Sequence, residues 1–188
     1  MVSIPIEPED DELYELVWKS GYRIIRMVRK NEPYNFAPLV RDMTKGDFVI
    51  RITADNPLLD PSLVKKLVVS FPSVTFGASG IATRSDFYPY DTQGFPWGMD
   101  AEVFYVSALR ASFIDKMYKS SKVRIMQPAV QCAPGLNLTV DWPHDLLWIY
   151  SVEQSFREHA ISLTYENIAK WWNERGRDGL LSEVNRDQ

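Results

Sequence analysis

A strand that ends near an acid and leads into a capped helix constrains the fold of this chain more than any other feature. Residues 47–64 read "DFVIRITADNPLLDPSLV". The apolar run from Phe48 to Ile50 predicts a strand that is buried on both faces. Asp60-Pro61 predicts the start of a helix, because Asp caps helices and Pro fits their first position. A buried strand that leads into a helix is typical of α/β proteins with parallel sheets.

The same alternation of strands and helices continues along the chain. Predicted strands cover residues 2–6, 22–28, 47–53, 73–78, 101–105 and 136–140, and predicted helices cover 10–20, 35–44, 60–70, 107–118, 143–158 and 164–176. This order predicts an α/β fold with a Rossmann-like, mostly parallel sheet flanked by helices. We interpret residues 1–176 as one domain and residues 177–188 as a polar C-terminal tail. Residues 79–98 form a long predicted loop, and loops of that length usually have a function.

Composition excludes several classes of protein. The chain has 188 residues, a formal net charge of -4 and one cysteine, Cys132. A mildly acidic chain lacks the basic face of a nucleic-acid-binding protein. Its apolar runs are too short to span a membrane, and its acidic N-terminus is unlike a signal peptide. We therefore expect a cytoplasmic protein that binds neither nucleic acid nor membrane, with no disulfide within the chain and no histidine-rich metal site.

Acidic residues follow or flank several predicted strands. Asp55 comes shortly after one strand, Asp100 and Glu102 share one side of an extended segment, and Asp141 directly follows "LNLTV". In open α/β sheets, ligands bind beyond the carboxyl ends of the strands. Two carboxylates that converge there suit Mg²⁺, which completes its coordination with water and substrate phosphates. Taken singly, Asp55 could equally be a turn residue and Asp141 a helix cap.

Three motifs together resemble a known family. The segments "RITADNPLLDPSLV", "GMDAEVF" and "LTVDWPHDL" occur in this order. They resemble motifs of cytidylyltransferase-like sugar nucleotidyltransferases, the spore-coat polysaccharide and acylneuraminate cytidylyltransferase-like proteins, over residues 2–173. The resemblance implies a nucleotide-diphospho-sugar transferase type of fold. It also implies transfer of CMP from CTP, or of another nucleotide, to a sugar acceptor for surface polysaccharide biosynthesis, with Mg²⁺ or Mn²⁺ as cofactor.

The resemblance also implies roles for individual residues. Asp55 and Asp141 match the metal ligands and, together with Arg51, the catalytic positions. It places Asp100 and Glu102 in the sugar-side pocket, and Asn56 and Gly98 lie in the same motifs as further substrate-binding candidates. From the residues themselves, Trp97 could stack on a sugar or base, or could only hold the long loop in place. Arg84 could bind a phosphate or carboxylate, or could be a solvated surface residue.

The motifs of a phosphate-binding loop are missing from the sequence. Its nine glycines form neither GxGxxG nor GxxxxGK[ST]. The family begins with a strand and a loop bearing Gly and Arg, both of which precede the part that matches Val2 onwards. We therefore expect an N-terminally truncated member that forms a homodimer or associates with a chain that supplies the missing element. The alternative is a non-catalytic subunit of the same descent that binds a sugar or nucleotide, or serves as a structural partner.

Overall fold

The computed structural model describes residues 1–28, 39–44, 46–71, 80–83, 95–111, 123–133 and 135–184. The chain divides into two compact units, Met1–Arg41 and Asp42–Gln188, and each is described here by itself. The interpretation of residues 1–176 as one domain stays a prediction.

The N-terminal unit is a strand–helix–strand motif. Strand β1 (Val2–Pro5) pairs in parallel with β2 (Ile24–Met27), and helix α1 (Asp11–Lys19) connects them after a short 3-10 turn. The predicted end of this helix is confirmed, because Gly21 follows it with φ +79°, a backbone angle that favours glycine. An ion pair of 2.8 Å between Arg26 and Asp11 links β2 to the start of the helix.

The C-terminal unit contains a four-stranded sheet with helices packed against it. Its elements are β3 (Phe48–Ile52), α2 (Pro61–Ser70), β4 (Gly80–Thr83), β5 (Ala101–Tyr105), α3 (Val106–Ala111), β6 (Val123–Ile125), α4 (Pro143–Glu158) and α5 (Tyr165–Val184). The strand order is β3-β5-β4-β6. Strand β5 runs antiparallel to both of its neighbours, whereas β4 and β6 are parallel.

Two expectations about the sheet are therefore wrong for the described residues. The pairing is mixed rather than mostly parallel, because β5 runs opposite to β3 and β4. Strand β3 is not buried on both faces: it lies at the edge of its sheet, with Phe48, Ile50 and Ile52 exposed. Helix α2 packs on the centre of the sheet, where Val103 of β5 is buried, and covers this face of β3 only in part, through a contact of Phe71 with Phe48 at 5.6 Å between ring centroids.

Some element boundaries also differ from those predicted. Residues 80–83 form a strand inside the predicted loop, and residues 136–140 contain only a single bridge, between Asn137 and Trp97. Residues 39–44 are turns rather than helix, while the remainder of that predicted helix and the predicted strand 73–78 lie largely or wholly outside the described residues. Gly176 breaks the helical geometry of α5 with φ 60°, as its position predicted, but helix continues to Val184, in the segment interpreted as a tail.

The main hydrophobic core lies between the last two helices and the extended segments that precede β5 and α4. Val152 and Phe156 of α4 pack with Ile168 and Trp171 of α5, and Leu138 lies among them. The Phe156 and Trp171 rings meet edge to face with their centroids 5.7 Å apart. This core therefore fixes the segment that leads to Asp141.

A single buried carboxylate holds the starts of two helices. Asp60, which is 4% exposed, accepts a hydrogen bond from the Ser62 N–H at 2.7 Å and another from the Tyr165 N–H at 2.9 Å. The first bond is the predicted cap of α2. The second bond ties α2 to α5 across 105 residues of sequence.

We expect Asp60→Ala to lower the free energy of unfolding by about 2–4 kcal/mol, since it removes a helix cap and leaves the buried Tyr165 N–H without its acceptor. Urea unfolding followed by circular dichroism measures this change. Asp60→Asn is the matched control, because it keeps one acceptor oxygen and should therefore have an intermediate effect. A loss below about 1 kcal/mol for the alanine variant would show that the second bond contributes little.

Candidate active site

Three chain segments meet at one end of the sheet in the C-terminal unit. The turn after β3 carries Asp55, the segment before β5 carries Asp100, and the segment before α4 carries Asp141. The Val140 N–H donates to the Asp55 carbonyl oxygen at 2.9 Å. The Asn56 side chain donates to the Asp100 carbonyl oxygen at 3.3 Å. The backbone thus places the predicted metal-binding and acceptor-side segments next to each other.

Gly98 allows the second and third of these segments to approach closely. The Leu138 N–H donates to the Trp97 carbonyl oxygen at 2.8 Å. Gly98 has φ +94°, and a Cβ atom at this position would lie less than 3.0 Å from the carbonyl carbon, oxygen and Cβ of Leu138. The backbone therefore requires glycine here. The neighbouring Trp97 side chain is exposed, so its indole is available to a ligand.

Asp55 and Asn56 both present unpaired oxygens at the turn after β3. Asp55 is half-buried, and its Oδ1 atom is buried with no hydrogen-bond partner among the described residues. Asn56 is buried as well; its Nδ2 donates to Thr53 Oγ1 at 2.8 Å, while its Oδ1 has no partner in the same part of the chain. Buried polar atoms without a partner are rare, and each one calls for an explanation such as a bound ion or water.

Arg51 and Glu102 lie opposite each other on β3 and β5 and form an ion pair. Arg51 Nη1 donates to Glu102 Oε2 at 2.6 Å, and the side chains are 17% and 2% exposed. The structure thus pairs a predicted catalytic cation with a predicted substrate-binding carboxylate. The local sequence does not predict this pairing, because the pairing depends on the antiparallel register of the two strands.

Asp141 is exposed at the start of α4, and a neighbouring acid takes over the capping role. Asp145 accepts hydrogen bonds through its Oδ2 from the Asp141 N–H at 3.0 Å and from the Trp142 N–H at 2.8 Å. We did not single out Asp145 from the sequence, although an acid at the third helical position is a known capping signal. Because Asp145 satisfies these backbone groups, the Asp141 carboxylate is not needed as a cap.

The remaining candidates add little to the site. Arg84 lies outside the described residues, so its predicted role stays a prediction. His144 is exposed, with Nε2 3.5 Å from Asp145 Oδ1. Burial raises the pKa of the Cys132 thiol to about 11. The thiol is therefore protonated at neutral pH, and Cys132 is unsuited to act as a nucleophile.

Asp55 and Asp141 stay the predicted ligands of a divalent cation. Asp55 and Asp141 supply carboxylates from adjacent backbone segments, and the unpaired, buried Asp55 Oδ1 suits a cation as partner. Carboxylate oxygens are the donors that Mg²⁺ and Mn²⁺ prefer. In the described part of the chain, no group of three or more His, Cys, Asp or Glu side chains could hold a metal ion by itself. A cation here would thus depend on water and substrate phosphates for its other ligands.

Comparison with known proteins shows similarity at the level of the fold. Neither a protein-family model nor a curated protein matches the chain. A solved structure of a cytidylyltransferase from Leptospira borgpetersenii serovar Hardjo-bovis is similar, with a TM-score of 0.64 and 19% sequence identity over 92% of this chain and 76% of the other. The chain therefore has a cytidylyltransferase-like α/β fold. Among the described residues, no helix has the length and apolar content needed to cross a bilayer.

Proposed function

We propose that this chain carries a cytidylyltransferase-type site that transfers CMP from CTP to a sugar acceptor in the cytoplasm, for surface polysaccharide biosynthesis. The observation that carries the proposal is the hydrogen bond between Val140 N–H and the Asp55 carbonyl, which brings the Asp55 and Asp141 segments together. The likeness in fold to a solved cytidylyltransferase and the three sequence motifs support it.

In the proposed reaction, a hydroxyl oxygen of the sugar attacks the α-phosphorus of CTP, and pyrophosphate leaves as the new phosphate ester forms. Asp55 and Asp141 would hold Mg²⁺ or Mn²⁺, which when bound neutralises charge on the phosphates. The contribution of the protein is to place the two substrates in line and to exclude incorrect geometries. The turn after β3 therefore has to be fixed relative to the segment before β5.

On the acceptor side, Trp97 and Asp100 are the residues we assign to the sugar. The exposed Trp97 indole can stack on the apolar face of a sugar ring. The Asp100 carboxylate can accept hydrogen bonds from sugar hydroxyls. Gly98 between them keeps this segment against Leu138. Glu102, which is buried on β5 and paired with Arg51, fixes the strand that follows this segment.

We further propose that another strand pairs with the outer edge of β3, from a second copy of the chain or from a separate chain. Support comes from the position of β3 at the end of its sheet and from the exposure of Phe48, Ile50 and Ile52 along it. Exposed apolar edge strands readily pair with other chains. Light scattering coupled to size-exclusion chromatography would then give a dimer or larger species, and a monomer at high protein concentration would contradict homodimerisation.

A non-catalytic subunit that binds a sugar or nucleotide is the second candidate function. The observation that favours it is the ion pair between Arg51 and Glu102. Because of this pair, the guanidinium group of Arg51, a predicted catalytic residue, has a structural role in the sheet. A triphosphate beside carboxylates needs cations and N–H donors, and the glycine motifs that usually supply such donors are absent from the sequence. On this view the chain binds ligands without turnover.

Isothermal titration with CTP, UTP, ATP and GTP, each with Mg²⁺ or with EDTA, tests the proposed function. We expect binding selective for CTP that requires Mg²⁺ and weakens about tenfold or more in Asp55→Asn and in Asp141→Asn. Release of pyrophosphate with a panel of neutral and acidic sugars would then rule out the non-catalytic candidate, since only a transferase releases it. Nucleotide binding that is indifferent to Mg²⁺ and to both carboxylates would contradict the proposed site.

A further inference from the structure

The orientation of the Asn56 amide is set by its neighbours. Asn56 is 6% exposed, and its Nδ2 contacts Thr53 Oγ1 at 2.8 Å and the Asp100 carbonyl oxygen at 3.3 Å. A backbone carbonyl can only accept a hydrogen bond, so the nitrogen must face Asp100. The amide oxygen therefore faces away from Asp100, and it has no hydrogen-bond partner among the described residues.

Asp55, the residue before Asn56, also has a buried oxygen without a partner. Its Oδ1 atom has no hydrogen bond in the described part of the chain. Each unpaired buried acceptor destabilises the fold, because it has lost its hydrogen bonds to water and gained none in return. Consecutive residues at a single turn thus each have a buried acceptor that lacks a donor. A cation satisfies such oxygens without requiring any hydrogen-bond donor.

We propose that the Asn56 amide oxygen is a ligand of the divalent cation, beside the Asp55 carboxylate. This inference rests on the proposed function, which places a cation at Asp55 and Asp141. Amide oxygens are hard donors that bind cations of this kind. A neutral ligand also has a physical advantage over a third carboxylate, because it adds no negative charge next to the phosphates of the nucleotide.

Binding of Mn²⁺ alone, measured by electron paramagnetic resonance of the free ion, tests this role without any need for turnover. Asn56→Leu removes the oxygen at similar volume and should weaken Mn²⁺ binding about tenfold or more. Asn56→Asp keeps an oxygen but loses the amide nitrogen, and it should bind Mn²⁺ at least as tightly as the unmodified chain. If Asn56 acted only through its nitrogen, as a bridge to Asp100, both variants would weaken binding equally, and the proposal would be wrong.

Thr53→Val is the matched structural control, because it removes a partner of the amide nitrogen and leaves the amide oxygen in place. It should lower stability while Mn²⁺ affinity stays unchanged. If Asn56→Leu does not fold, Asn56→Ser replaces it as the test variant, because the shorter serine side chain has no oxygen at the position of the amide oxygen. If Mn²⁺ binding depends on Asp55 and Asp141 but not on the Asn56 oxygen, this inference is wrong and the proposed function is unaffected. Absence of Mn²⁺ binding by the unmodified chain overturns the proposed cation site as well.

Discussion

Gly98→Ala is expected to reduce the free energy of unfolding by at least about 3 kcal/mol, and Gly135→Ala by only about 1–2 kcal/mol. Both glycines have φ +94°, so both substitutions force alanine into a left-handed conformation. They differ in what the new methyl group would meet. At Gly98 it would overlap the Leu138 backbone, whereas at Gly135 the nearest atom, on the Trp172 ring, is at an ordinary contact distance of 3.8 Å.

Comparing the two variants thus separates backbone strain from overlap. Urea unfolding followed by Trp fluorescence gives the free energies, and circular dichroism shows whether each variant folds at all. Trp97 is expected to change its environment in Gly98→Ala, because its carbonyl bond to Leu138 cannot persist at the same distance. Equal effects of the two substitutions would mean that the Leu138 segment moves away at little cost.

Features that depend on neighbouring residues in the sequence could be predicted well. Helix α4 begins at Pro143 and ends at Glu158, as its proline and apolar pattern indicated. Thr164 caps α5, as predicted, by accepting from the Asn167 N–H at 3.3 Å. These signals are local, because capping groups and fixed backbone angles act within about one turn of helix.

Features that depend on distant residues could not be predicted in this way. An apolar run such as Phe48 to Ile50 is compatible with a central or an edge strand, and only the positions of β5 and α2 decide between them. The second bond of Asp60 likewise depends on Tyr165, which is far away in sequence. Sequence periodicity describes the faces of one element, and it contains no information about strand order.

For the candidate site, the sequence motifs identified the segments but not the pairing of their side chains. The structure brings the segments of Asp55, Asp100 and Asp141 together. It also shows that Arg51 and Glu102 engage each other, which the separate motifs could not indicate. Both residues were predicted to act on substrate, and those roles stay predictions. Their pairing changes how any substitution of either one has to be interpreted.

Arg51→Ala is expected to lower the free energy of unfolding by about 3–5 kcal/mol, because it leaves the charge of Glu102 buried without its guanidinium partner. Glu102 is only 2% exposed, so water cannot compensate for the loss. The double variant Arg51→Met with Glu102→Leu replaces the pair by apolar groups of similar volume, and it should recover most of the lost stability. Urea unfolding of the single and double variants gives the coupling free energy directly.

The same pairing determines which variant can test a role for Glu102 in sugar binding. Glu102→Ala should abolish binding of a sugar acceptor, but it would also release Arg51 and disturb the acceptor-side strand. Glu102→Gln keeps the shape and a hydrogen bond to Arg51, so it removes only the charge. If the carboxylate itself contacts the sugar, Glu102→Gln weakens binding in titrations followed by tryptophan fluorescence while the fold is retained. Unchanged sugar binding in Glu102→Gln would mean that Glu102 acts through Arg51 and the sheet, and that Asp100 and Trp97 form the acceptor pocket.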